Sequence, residues 1–335
     1  MAAARVAILG AGSVGCFIGG CWQAAGVPVT LIGRPRFAGD IAGHGLTVSD
    51  YSGWARTLSD ADYRTDPSAL GEADVIALCV KSGATQEAAG AIAEHGRDGA
   101  LVISFQNGIR NFDVLSEVLG GRFELARGLV SYNVAYLGEG RFHKGVAGQL
   151  WAEDLPLTRG LAETVGETPG EIKLSRDMLG LAWGKLLINL NNAVNALSGR
   201  TLLEELRQRD YRRVVAASQR EGLRLLDAAG IAPAKLGAAK PKLLPQLIDS
   251  PDWLFNRLFL KKWKIDARAR SSMADDLAAG HRTEVDYING ELVALAERLG
   301  LDAPVNRRIV ELIRAAEAGA PPMAPAELRR AVFSA

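Results

Sequence analysis

The first half of the chain alternates short, unbroken apolar runs with stretches whose apolar residues recur at helical spacing. The runs are Arg5 to Leu9, Val29 to Ile32, Val75 to Val80, Leu101 to Phe105 and Leu125 to Val134. Unbroken runs of this length suit parallel strands covered on both faces, whereas a strand with one wet face alternates. Between them, Ser13 to Ala25, Thr85 to His95 and Phe112 to Leu119 carry the spacing of amphipathic helices. The pattern predicts repeated βαβ units and hence a doubly wound α/β sheet. Arg141 to Trp151 and Glu171 to Leu174 extend the strand signal.

From about Arg176 that signal disappears and long helical periodicity replaces it. Met178 to Leu197 and Arg207 to Ala229 are predicted helices, the second stopped by Gly230. Pro233, Pro241, Pro245 and Pro251 predict a loop or broken helices over Ala232 to Asp252. Thr283 to Leu299 and Pro304 to Ala318 complete the helical set. The expected organisation is an α/β domain over residues 1–175 and an all-α domain over residues 176–335. A chain of 335 residues fits two cores better than one.

Charge narrows the partners. With 39 Lys and Arg against 38 Asp and Glu, the net charge is +1, and no long block of like charge occurs. That excludes the electrostatic footprint of a nucleic-acid binder and favours a small soluble ligand. Met1 to Arg5 lead straight into an apolar run with no basic flank or cleavage site, so no membrane partner or export is expected, and the expected location is the cytoplasm. A monomer or homodimer is expected. Cys16, Cys21 and Cys79 are scattered among apolar residues, which predicts packing thiols and no metal site.

Gly10-Ala11-Gly12-Ser13-Val14-Gly15 follows directly on the first strand and opens the first helix, the context a dinucleotide-binding G-x-G-x-x-G requires. Gly10 permits the tight turn, Gly12 lets the backbone approach a pyrophosphate, and Gly15 lets helix and strand pack closely. The amides of Ser13 and Val14 then sit at a helix N-terminus that favours phosphate. This makes the first domain Rossmann-type. About twenty residues after the first glycine, an NAD site would place Asp or Glu on the ribose. This chain has Gly33-Arg34-Pro35-Arg36 there. A guanidinium suits a 2′-phosphate, so the expected cofactor is NADPH, with Arg34 as its reader. Ligands of open α/β sheets bind beyond the carboxyl ends of the strands. Lys81 and Gln106-Asn107-Gly108 follow such ends, which makes Lys81 a cofactor candidate and Asn107 a candidate for cofactor and substrate.

In the second half, Lys185, Asn189, Asn192 and Asn195 fall on one face of a helix, while Leu187, Leu190, Val194 and Leu197 fall on another. Asparagine is a poor helix former, so four of them in seven residues point to a polar cleft wall. Further on, Ser271-Ser272-Met273 is followed by Thr283-Glu284-Val285-Asp286-Tyr287-Ile288-Asn289-Gly290. Thr283 and Asp286 have the spacing of a capping box, which competes with a catalytic duty for Glu284.

Together these motifs, in this order, resemble the ketopantoate reductase (2-dehydropantoate 2-reductase) family over nearly the whole chain. The resemblance implies NADPH-dependent reduction of ketopantoate to pantoate, a step toward pantothenate and coenzyme A. It implies that Lys185 is the catalytic lysine and Glu284 the active-site glutamate. Ser272 would hold the substrate carboxylate and Asn189 would be a substrate-site asparagine, while Asn192 and Asn195 compete for a second such place. Lys185 would protonate the carbonyl oxygen as hydride reaches the adjacent carbon. His281 is an alternative acid. Beside the family it resembles, the segment Pro233 to Asp266, with Trp253, Phe255, Phe259 and Trp263, looks longer than in compact members. A different 2-keto acid, or a non-catalytic NADP-binding regulator, remains an alternative.

Overall fold

Two compact units, dividing between Met178 and Leu179, make up the chain in a computed structural model. The structure describes residues 4–236, 239–260, 266 and 268–334. The first unit carries strands β1 (Val6–Leu9), β2 (Val29–Ile32), β3 (Leu46–Asp50), β4 (Ala55–Leu58), β5 (Asp62–Arg64) and β6 (Val75–Leu78). It continues with β7 (Leu101–Ser104), β8 (Glu124–Val130), β9 (Val134–Tyr136), β10 (Arg141–Lys144), β11 (Leu150–Glu153) and β12 (Ile172–Ser175). Six of these run parallel in the order β5-β2-β1-β6-β7-β8, the order of doubly wound dinucleotide folds. β11 joins antiparallel to β8, and β12 lies parallel to β11 at the edge.

Register explains why the site residues emerge together. Leu9 pairs with Ile32 and with Leu78, and Leu78 pairs with Ser104, so the segments that follow these four residues leave the sheet level with one another. Along β1 the side chains alternate between two cores. Val6 and Ile8 join Phe17 and Trp22 on one face, while Ala7 joins Leu70, Ile92 and Leu115 on the other. Both faces are therefore apolar, as the unbroken runs required.

A second sheet, in the order β4-β3-β10-β9, has no counterpart in the sequence reading. Three of the four residues of β4 are exposed, so no apolar run marks it. The run Leu125 to Val134 is β8 of the main sheet as far as Val130, with only Val134 in β9 of the second, and Arg141 to Trp151 divides between β10 and β11. Phe37, Tyr136 and Phe142 pack at centroid distances of 4.8 to 5.4 Å, which fastens helix α2 (Pro35–His44) to this second sheet. The other helices of the first unit that matter below are α1 (Ser13–Ala24), α3 (Thr85–His95) and α4 (Asn111–Leu119).

The second unit is helical. The helix expected over Met178 to Leu197 is two helices, Met178–Asn189 and Asn191–Ser198, broken at Leu190. The cause lies in a buried neighbour. The Leu187 carbonyl, which a continuous helix would give to the amide of residue 191, accepts a hydrogen bond from Gln219 Nε2 at 3.1 Å. Gln219 comes from the long helix Arg209–Ala228, whose buried face includes Tyr211, Val214, Val215 and Leu225. The helix expected from Thr283 begins instead at Asn289, after a single 3₁₀ turn over Val285–Tyr287. Thr283 gives both its amide and its hydroxyl to Glu317, at 2.8 Å each, and Asp286 pairs with Arg314 at 2.8 Å, so the capping box does not form. In the long connecting segment, Trp253 is 72% exposed and Phe255 is buried beneath the Arg212 guanidinium. Trp263 and the side chain of Phe259 lie outside the described residues.

Candidate active site

The glycine turn separates into two kinds of glycine. Gly10 has φ +92°, and a Cβ there would come within 2.6 Å of the Val80 backbone nitrogen; a Cβ at Gly15 would come within 2.6 Å of the Gly10 carbonyl. The chain's own packing demands both. Gly12 differs, because its φ is −85° and the nearest atom to its Cβ would be the Gly10 carbonyl at 3.9 Å. Neither backbone conformation nor packing explains the glycine, and the open space lies where a pyrophosphate approaches the turn. No side chain caps the N-terminus of α1 at Gly12. Half-buried Ser13 and Val14 thus begin a helix whose amides and dipole suit phosphate. The turn fits the pyrophosphate of a dinucleotide.

Arg34 is exposed just beyond β2, in extended conformation at the N-cap of α2. Among the described residues no ion pair or hydrogen bond holds its guanidinium. Arg36, also exposed, lies over the Phe37 ring at 5.2 Å. Lys81 is exposed beyond β6, at the head of the short turn Ser82–Ala84. Gln106 is buried and fully engaged, donating to Thr85 Oγ1 at 2.8 Å and to the Val80 carbonyl at 3.2 Å while accepting from Ser104 at 3.1 Å. Asn107 beside it is half-buried, and its carbonyl accepts from Ser82 Oγ at 2.9 Å and from Asn111 Nδ2. Gln106 fixes the loop on which Asn107 is presented. The first unit therefore gathers the Gly10 to Gly15 turn, Arg34, Lys81 and Asn107 at the carboxyl ends of its parallel strands.

Cys16 and Cys21 lie on the buried side of α1, and Cys79 follows β6. Burial pushes Cys16 and Cys21 far up and Cys79 up to about 12, so none is a ready nucleophile. All three are free, and among the described residues no group of three or more acidic, His or Cys side chains is placed to hold a metal.

In the second unit Lys185 lies on the helix Met178–Asn189, directly after Gly184. A Cβ at Gly184 would come 2.1 Å from the Ala234 carbonyl, and the Ala234 amide donates to the Gly180 carbonyl at 2.7 Å. This glycine lets the loop at Ala234 lie flat on the helix, one residue before Lys185. Lys185 retains some accessible surface, yet burial of its ammonium pushes its pKa down to about 8, against the opposing pull of Glu284. Glu284 is half-buried and makes no cap hydrogen bond to the turn it heads.

Around this pair the asparagine face divides in function. Asn189, one turn beyond Lys185, and Asn192 are half-buried. Asn195 does not join them: it is fully buried, donating to the Arg200 carbonyl at 3.1 Å and accepting from the Ser271 amide at 2.9 Å. Both ends of its amide are engaged with backbone, so the structure gives Asn195 an anchoring task in place of the substrate contact expected of it. Asn191 donates to Glu205, whose carboxyl is buried and pushed up to about 8 by that burial. Ser271, tied also to the Asn192 carbonyl at 3.0 Å, caps the helix Ser272–Ala278. Ser272, the first residue of that helix, is exposed. Asn289, at the tail of the same motif, is buried and bonded to Asn306 Oδ1 at 3.0 Å, which is structural work. His281 is exposed.

A doubly wound sheet with a pyrophosphate turn, joined in one chain to a helical unit holding a depressed lysine beside a carboxylate, defines a class of two-domain oxidoreductase. Within it the chain belongs to the ketopantoate reductase PanE/ApbA family, whose N-terminal profile matches residues 6–156 and whose C-terminal profile matches residues 177–317. A 2-dehydropantoate 2-reductase of Archaeoglobus fulgidus is 29% identical over 323 residues, covering 94% of this chain and 98% of the relative. The crystal structure of a PanE/ApbA family ketopantoate reductase from Ralstonia eutropha JMP134 has a TM-score of 0.80 at 31% identity, over 94% of this chain and 98% of that one. D-mandelate dehydrogenase, in a ternary structure with NADH and anilino(oxo)acetate, shares the fold at a TM-score of 0.77 and 19% identity, over 94% of this chain and 98% of its own. No helix among the described residues is long and apolar enough to cross a membrane.

Proposed function

We propose that this protein reduces ketopantoate to pantoate with NADPH, a step toward pantothenate and coenzyme A, with Lys185 as the general acid. The observation that carries the reading is the Lys185 and Glu284 pair, because burial lowers the ammonium to about 8 while the carboxylate opposes that fall, leaving it near the pH at which a general acid works best. The family and its relatives supply the substrate.

The first unit takes the cofactor. Amides of Ser13 and Val14 would receive the pyrophosphate, Gly12 would give it room, Arg34 would pair with the 2′-phosphate, and Lys81 and Asn107 would contact the remainder. When bound there, the dihydronicotinamide supplies hydride to the carbonyl carbon of the substrate. The second unit takes the keto acid. Ser272 would hold the carboxylate from its helix end, while Asn189 and Asn192 would bind the carbonyl and hydroxyl groups. Lys185 Nζ donates its proton to the carbonyl oxygen as the C–O double bond becomes an alkoxide, giving the 2-hydroxy acid. Glu284 keeps that ammonium charged and accepts from the substrate hydroxyl.

Oxidation of NADPH, followed with a panel of 2-keto acids, tests this. Ketopantoate should give the highest kcat/KM. A higher value for another member of the panel, or no turnover of any, would overturn the substrate assignment.

A further inference from the structure

β5 lies beside β2, with Tyr63 paired to Leu31, and from there the phenol reaches two backbone carbonyls of different segments. Tyr63 Oη is 3.1 Å from the Ala11 carbonyl, in the glycine turn, and 2.9 Å from the Arg34 carbonyl. One phenolic hydrogen is shared between them. We infer that Tyr63 is a positioning residue for dinucleotide discrimination, tying the pyrophosphate turn to the backbone that carries Arg34. This rests on the reading of Arg34 as the partner of a 2′-phosphate.

Three observations support the tie. Among the described residues no ion pair or hydrogen bond holds the Arg34 guanidinium, so its placement depends on its backbone, which the Tyr63 bond and the Gly33 amide, donating to the Arg64 carbonyl at 3.0 Å, hold in place. Gly33 itself has no positive φ, yet a Cβ there would come 2.3 Å from Tyr63 Oη and 2.9 Å from the Ala11 carbonyl. The glycine at 33 is therefore explained by the hydroxyl that passes beside it. The Ala11 carbonyl, further, accepts from Cys16 Sγ at 3.3 Å, so the turn is held from below as well as from the side. Burial pushes the Tyr63 hydroxyl up to about 12, so it stays a donor well into the alkaline range. Fixing an arginine in advance lowers the ordering cost of the contact it makes, and so sharpens preference for a phosphorylated ligand over its plain form.

Calorimetric titration of the full chain with ADP-ribose and with its 2′-phosphorylated form tests this without turnover. For the wild type, the phosphorylated form should bind more tightly. In Tyr63→Phe, which keeps the ring, that preference should shrink about three- to tenfold, the size of one lost hydrogen bond. Affinity for plain ADP-ribose and the ligand-free Tm should hardly change. A wild type with no preference would overturn the 2′-phosphate reading and the inference with it. A wild-type preference that survives in Tyr63→Phe overturns the inference alone, as does equal weakening of both ligands with a lowered Tm, which would make Tyr63 a packing residue.

Discussion

Glu284 raises the pKa of Lys185 against a burial that lowers it to about 8. The two effects have opposite signs, so the high-pH limb of the rate profile reports on both. Glu284→Gln removes the raising influence and keeps the shape, leaving burial to act alone. The high-pH fall in kcat/KM should then begin at lower pH than in the wild type, with kcat also depressed at neutral pH. An unmoved limb would show that Glu284 does not act on the lysine.

Cofactor choice should depend on Arg34, whose guanidinium lies exposed at the head of α2. Arg34→Ala removes a charge-assisted contact worth about 1.5 to 3 kcal/mol to a 2′-phosphate. NADPH KM should rise and NADH KM should stay nearly constant. Equal effects on both would contradict the assignment.

The glycines of the first turn predict different phenotypes. Gly12→Ala meets no protein atom closer than 3.9 Å, so the ligand-free Tm should be unchanged while dinucleotide affinity falls steeply. Gly15→Ala, driven to 2.6 Å from a carbonyl, should lower Tm even without ligand. Thermal melts with and without NADPH separate the two.

Asn189 and Asn195, assigned to one polar face by the sequence pattern, should also part. Asn195→Ala leaves the Ser271 amide and the Arg200 carbonyl unpaired in the interior, at about 1 to 3 kcal/mol for such a group, and should lower Tm. Asn189→Ala should spare Tm and raise the substrate KM, as should Ser272→Ala. If Asn195→Ala left Tm intact and changed only KM, the anchoring role would be wrong.

What the sequence reveals of the fold follows burial on two sides. β1, β2, β6 and β7 are apolar on both faces, so their residues announce them without reference to partners. β3 and β5 pair with strands distant in the chain, β10 and β2, while β4 is an edge strand held by β3 alone, and their mixed composition does not mark them. The break at Leu190 is equally illegible, because the group that interrupts the helix, Gln219, arrives from another helix.

The candidate site shows the same division. Gly10 to Gly15 and Arg34 are local in sequence, so motif spacing alone singles them out as candidates. The separation of Asn189 from Asn195 depends on Ser271 and Arg200, which periodicity alone does not bring near. Tyr63 and Gly184 act through single close approaches, to Ala11 and Arg34 in one case and to Ala234 in the other, and nothing in their local sequence signals it.

The central claim is proton donation by Lys185, and the turnover of Lys185→Ala at saturating NADPH tests it most directly. A positioned general acid contributes about a hundred- to ten-thousandfold in rate, so kcat for ketopantoate should fall by about that factor. NADPH affinity and folding should persist, since the cofactor residues lie in the first unit and alanine suits a helix. The high-pH limb, where the wild-type ammonium loses its proton near pH 8, should vanish from the residual activity. A folded, NADPH-binding Lys185→Ala protein that reduces ketopantoate within a few-fold of the wild-type rate would contradict the account.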